Sequence, residues 1–232
     1  MKESIQISIP SGFEHLEMMS ILSKIAEEKS EKYSKELAEE LSLFGDSMHA
    51  IYLSATCEKS CAGGPHYIEY FGARVYNLSA ASYKLIFSGF YDEAQSLIRS
   101  IGEISNLMSL AVCDHELFSE WISSDKQKRM TKFSPAKVRK MVEQSNGALH
   151  MNKETYSELC EEYTHLIPHV SPNNYDHNRN VCGGIAQKSG FDKSINLLSY
   201  LVSMLALFFC THSGLAEEFQ KIEGVWRERD CN

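Results

Sequence analysis

Apolar positions recur every three or four residues along most of this chain, the spacing that gives a helix one buried face. From Phe13 the series Leu16, Met19, Leu22, Ile25, Ala26, Tyr33, Leu37, Leu41 and Phe44 keeps that period. Glu27, Glu28, Lys32, Lys35, Glu36, Glu39 and Glu40 fall opposite. Gly45 is a plausible stop, and the polar middle from Glu27 to Lys35 is where this helix can divide in two. Ahead of it, Ile5, Ile7 and Ile9 alternate up to Pro10. Residues 1–12 are therefore set apart as an N-terminal arm before a single helical domain, residues 13–232.

The helical period resumes at Asp46 to Thr56 and again at Ile68 to Ser88. Gly89 can end that helix and Asp92 can cap the next, which predicts an antiparallel hairpin whose second arm is Tyr91 to Asp114. His115 to Ser123 reads as a short helix, and the polar, basic stretch Ser124 to Lys132 as an exposed loop. Ser134 as N-cap with Pro135 at the first helical position starts another helix, ending near Gln144. Asn152 caps a helix from Lys153 to about Leu166, with Pro168 as its stop. Val170 to Gly190, rich in Pro, Asn and Gly, is the longest loop. A buried central helix at Ile195 to Cys210 and an amphipathic tail with Phe219, Ile222, Val225 and Trp226 complete an all-α chain.

The apolar share of 43% is enough for a real core. A formal charge of −8 disfavours nucleic acid and anionic membrane at long range. Seven cysteines, an odd number with no secretory signal pattern before them, read as reduced thiols of a cytoplasmic protein. Ile195 to Cys210 falls short of a membrane span and holds Asn196, Ser199 and Ser203, so it reads as a core helix.

Candidate chemistry gathers on Tyr91 to Asp114, where Arg99 and Glu103 stand one turn apart beside an apolar stripe. Such a pair is either a structural clasp or the floor of a polar site. A second group, Glu161, Glu162, His165 and His169, lies at the end of a later helix. Facing Arg99 and Glu103, it would bring together an acid, a base and an anion-binding guanidinium; a buried network fixing helix register is the alternative.

Other signatures are weaker. Cys57 and Cys61 with His66 fall short of the four ligands of a structural zinc site, so that stretch reads as a Gly/Pro turn and no metal is expected. Gly63-Gly64 lacks the flanks of a phosphate loop, and Glu162 with His165 is the only E-x-x-H pair, where a di-iron bundle needs two. Cys160 reads as an inert core thiol. Lys126, Lys128, Arg129, Lys132, Lys137, Arg139 and Lys140 form the local basic cluster, read as a solvated face.

The segments GFYDEAQSLIRSIGEISNLMSL, DHELFSEWISSDK, FSPAKVRKMVE and YSELCEEYTHLIPHVSP, in this order, resemble an uncharacterised bacterial helical family, a domain of unknown function. The resemblance spans roughly Ile68 to His212. That family is similar in turn to the HEPN superfamily of helical bundles, whose active members are metal-independent ribonucleases with an Arg-x4-6-His motif. No histidine stands at that spacing after Arg74, Arg99, Arg129, Arg139 or Arg179.

The resemblance implies an all-α, HEPN-like bundle of about six to eight helices, in which Arg99, Glu103, Tyr156 and His165 match recurring polar positions. It implies a ligand-binding or interaction component, of the kind found in phage-defence or toxin-antitoxin systems, with a site at Arg99, Glu103, Tyr156, His165 and His169. The enzymatic alternative is a ribonuclease or phosphoester hydrolase in which His165 is the acid or base, Glu161 or Glu103 orients it and Arg99 holds phosphate. No cofactor is expected. The expected partners are a protein or a small anionic ligand, and a second copy of the chain, met through the first and last helices.

Overall fold

Residues 9–59, 65–165, 167, 168, 170–176 and 181–230 are described by the computed structural model. Among them ten helices form and no strand does: α1 Gly12–Ser34, α2 Ala38–Thr56, α3 Tyr67–Phe87, α4 Tyr91–Cys113, α5 His115–Ser123, α6 Lys126–Lys132, α7 Pro135–Gln144, α8 Lys153–Tyr163, α9 Lys188–Ser213 and α10 Ala216–Asp230. The all-α expectation holds, while the expected six to eight helices become ten. The first predicted helix divides at Lys35–Leu37, and Gly45 lies inside α2 instead of ending a helix. Lys126–Lys132 is helical because Asp125 accepts the Lys128 N–H at 2.7 Å and caps it. Most of the expected N-terminal arm, residues 1–8, lies outside the described residues.

Helix α9 is the axis of the bundle and packs against α2, α3, α4 and α10. Its Phe191, Leu198, Leu201, Leu205 and Phe209 meet Ile51 of α2, Val75 of α3 and Ile98 and Ile101 of α4 in one continuous core. Among the described residues it is the one helix long and apolar enough, by length and composition, to cross a membrane; in this fold its apolar surface faces other helices. It also starts earlier than expected, so Ser189 and Gly190 are helical.

Helices α3 and α4 form the predicted hairpin. Gly89 turns it at φ 78°, and a Cβ there would come within 2.6 Å of the Ile185 backbone, so both its angle and its space require glycine. Asp92 does not cap α4. Its carboxylate accepts the Asn173 N–H at 2.6 Å and the Tyr175 hydroxyl at 3.1 Å, while Asn173 Oδ1 accepts the Tyr91 N–H at 3.2 Å. Gln187 Nε2 donates to the Asn173 carbonyl at 2.8 Å, closing a buried network that seats the loop before α9 on the start of α4.

The far end of α4 is held differently. Asn106 donates to the Met151 carbonyl at 2.7 Å and accepts the Met151 N–H at 3.1 Å, so one side chain satisfies a buried backbone pair. Gly102, one turn earlier, leaves the room that Met151 fills. Asn152 then caps α8 through the Thr155 N–H at 2.8 Å, as the sequence suggested. These three residues place α8 across α4. Helix α7 closes the same side through Val138 and Val142, which pack with Leu110 and Phe133 in a smaller second core.

Candidate functional site

Where α4, α7 and α8 converge, four polar side chains meet. Arg99 Nη1 donates to Glu103 Oε1 at 2.9 Å and lies 3.3 Å from the Tyr156 hydroxyl, which itself donates to Glu103 Oε1 at 3.0 Å. Burial first, and then the Glu103 carboxylate, push the Tyr156 phenol up to about 12, so it stays a donor at neutral pH. Cys160, one turn after Tyr156, sits with its Sγ 3.9 Å from Arg99 Nη1.

The fourth group is Arg139 of α7. Its guanidinium carbon stands 4.2 Å from the centre of the Tyr156 ring, and Arg99 approaches the same ring at 5.8 Å. Arg139 is only 8% exposed, yet makes no hydrogen bond or ion pair with any described residue. Arg99 Nε is also buried without a partner. Two guanidiniums and one carboxylate leave an excess positive charge with unused donors. Beside them opens a cavity of about 240 Å³, bounded by Glu103 and Arg139 and walled by Leu107, Trp121, Phe133 and Val138. A small oxyanion, carboxylate or phosphate, is the group that such an arrangement can take up.

Of the residues singled out in the sequence, Arg99, Glu103 and Tyr156 come together. His165 and Glu161 do not join them. Helix α8 stops at Tyr163, turning Tyr156 and Cys160 inward and leaving Glu161, Glu162 and His165 exposed on the other side. The expected meeting of His165 and Glu161 with Arg99 and Glu103 is thus replaced by one built on Tyr156 and Arg139. His169 lies outside the described residues.

Arg139 escaped the sequence reading because it was counted in the basic cluster. Its helical neighbours Val138 and Val142 are buried, and that period was the available signal. The rest of the cluster is partly neutralised: Glu120 accepts from Lys132 at 2.6 Å and pairs with Lys128 at 2.9 Å. Lys132, Lys137 and Lys140 line a shallow basic groove on the outer side of α7.

Fold and site together define an all-helical protein with a half-buried, cationic polar cleft. No family model, curated protein or solved structure matches the chain.

Proposed function

We propose that this chain is a HEPN-like, cytoplasmic ligand-binding or interaction component, and that its cleft between α4, α7 and α8 takes a small carboxylate or phosphate. The observation that carries this reading is Arg139: a residue over nine-tenths buried whose guanidinium stacks on Tyr156 without a hydrogen bond, at the edge of a cavity. A guanidinium with its donors unused at a cavity edge is placed to pair with an anion there. Arg99 and Glu103 hold the Tyr156 ring on which Arg139 rests. The role is binding in place of turnover, because His165, the residue offered for proton transfer, stands outside this cluster.

In the same reading the chain pairs with a second copy through α1. Phe13, Leu16 and Ile21 there are more than half exposed, whereas the α10 stripe expected to share in pairing is engaged internally against α2 and α9.

Calorimetric titration with inorganic phosphate and with acetate tests the site. Saturable binding of at least one anion by the native chain, absent in Arg139→Met, is the expected result. Equal binding by Arg139→Met, or none by the native chain, overturns it. Cleavage of an RNA pool that His165→Ala abolishes would replace it with the enzymatic reading.

A further inference from the structure

A second cluster lies at the start of α3, outside the cleft between α4, α7 and α8. Helix α2 terminates at Cys57 with φ 55°, and α3 is entered from His66 with φ 52°. Left-handed backbone at a helix terminus is ordinarily supplied by glycine, and a side-chain-bearing residue there costs about 1 kcal/mol or more. Two such residues bracket one connection. Strained backbone of this kind concentrates where side chains must be aimed.

Both are aimed at Glu69, in the first turn of α3. Cys57 Sγ lies 3.8 Å and His66 Nδ1 3.3 Å from Glu69 Oε1, and the three ligand atoms all fall within 4.8 Å of one another. A tetrahedral ion with Zn–N and Zn–O bonds near ~2.0 Å and a Zn–S bond near ~2.3 Å holds its ligands roughly 3.3 to 3.5 Å apart. The His66 separation of 3.3 Å matches, and the Cys57 separation of 3.8 Å needs only a small inward movement of the thiol. Glu69 is 9% exposed, so its carboxylate is a buried anion rather than part of a solvated acidic surface.

The donor set is equally selective. One thiol, one imidazole and one carboxylate suit zinc or a similar transition ion, whereas calcium and magnesium require oxygen. On the open side lies a cavity of about 330 Å³, lined by His66, Glu69, His115 and His212 and by the apolar Phe118 and Phe208. His212, on the last turn of α9, lines the same cavity. Three protein ligands with a position left toward a cavity is the pattern of zinc sites that bind or activate a fourth ligand.

We propose that Cys57, His66 and Glu69 bind a single zinc-type divalent ion whose remaining coordination position faces this cavity. This proposal departs from the expectation, read from the sequence, that no metal binds. Cys57, Cys61 and His66 alone fall short of four ligands, and Glu69, in the first turn of the helix that His66 precedes, is the ligand that their spacing omits.

Cobalt is the probe. The full chain, stripped with a chelator and titrated with Co²⁺, is expected to bind one equivalent with thiolate-to-cobalt charge-transfer absorption and intense visible bands of four-coordination. Added Zn²⁺ should bleach both. Cys57→Ser should abolish the charge-transfer band, and His66→Gln and Glu69→Gln should weaken binding by roughly a hundredfold. Cys182→Ser, a change at an exposed thiol elsewhere, should alter nothing. Circular dichroism of each variant confirms that it is folded, and the native titration needs no variant. Absence of the charge-transfer band in the native chain, or its survival in Cys57→Ser, overturns the proposal. Either result leaves the Arg139 cleft untouched.

Discussion

Replacing Arg139 by Met should make this protein more stable while removing its anion site. Methionine keeps the unbranched length of the side chain and its contact with the Tyr156 ring, but carries no charge. What is lost is one cation–π contact at 4.2 Å, worth about 0.5 to 2 kcal/mol. What is relieved is the partial desolvation of a guanidinium on a residue 8% exposed, with no hydrogen-bonded partner, about 2 to 3 kcal/mol because its nitrogens still reach solvent. The difference favours the variant by roughly 1 to 2 kcal/mol. In a chain of this size that is a rise of about 2 to 8 °C in Tm. Urea unfolding followed by circular dichroism, with an unchanged slope, measures it directly. A variant destabilised by more than about 1 kcal/mol would refute the reasoning and make Arg139 a structural clasp.

Three further outcomes are expected. Burial holds the Asp92 carboxyl above its ordinary value of 3.8, only partly offset by the Asn173 N–H and the Tyr175 hydroxyl. Its contribution to stability is therefore fullest at low pH and lost as pH rises through the folded value, so Asp92→Asn should be neutral or stabilising at pH 7, whereas Asp92→Ala, which strands both donors, should cost about 1 to 3 kcal/mol by urea unfolding. His150 is shifted the other way: burial lowers it below 6.5, with Ser105 Oγ 2.7 Å from its Nδ1. The neutral ring contributes stability above pH 6.5 that is lost as pH falls, and His150→Gln should flatten the decline in Tm between pH 7 and 5. Finally, light scattering should give a dimeric mass for the native chain and a monomeric one for Leu16→Glu with Ile21→Glu; a monomeric native chain would end the pairing proposal.

Period-based reasoning located the helices wherever an apolar face was long. The α3–α4 hairpin, the core role of α9 and the Asn152 cap all follow from local spacing or local chemistry. Helix α6, KQKRMTK, has no apolar period, and its Lys132 reaches Glu120 twelve residues away; only Asp125 marked it. The end of α8 was misjudged because Pro168 looked like the stop, whereas the helix closes at Tyr163 and Thr164 returns its hydroxyl to the Leu159 carbonyl at 3.0 Å. His165 stands outside by helical phase: like Glu161, it falls on the side of α8 away from the inward Tyr156 and Cys160. Arg99 and Glu103 pair as their spacing suggests, and Tyr156, named through the family resemblance, joins them, but Arg139 enters through long-range packing. Nothing local announced that Asn173 and Gln187 would sit on the start of α4.

The double hydrogen bond between Asn106 and the Met151 backbone separates the scaffold from the chemistry beside it. Because α8 is also docked by an amide, a cap and the space over Gly102, its register on α4 does not rest solely on the bonds among positions 99, 103 and 156. Those three positions, with 139 beside them, can therefore be rewritten together, to acidic, neutral or apolar sets, with the helices still meeting at the same place. The fold carries an interchangeable recognition surface, one that drift or a designer can re-address without rebuilding the bundle.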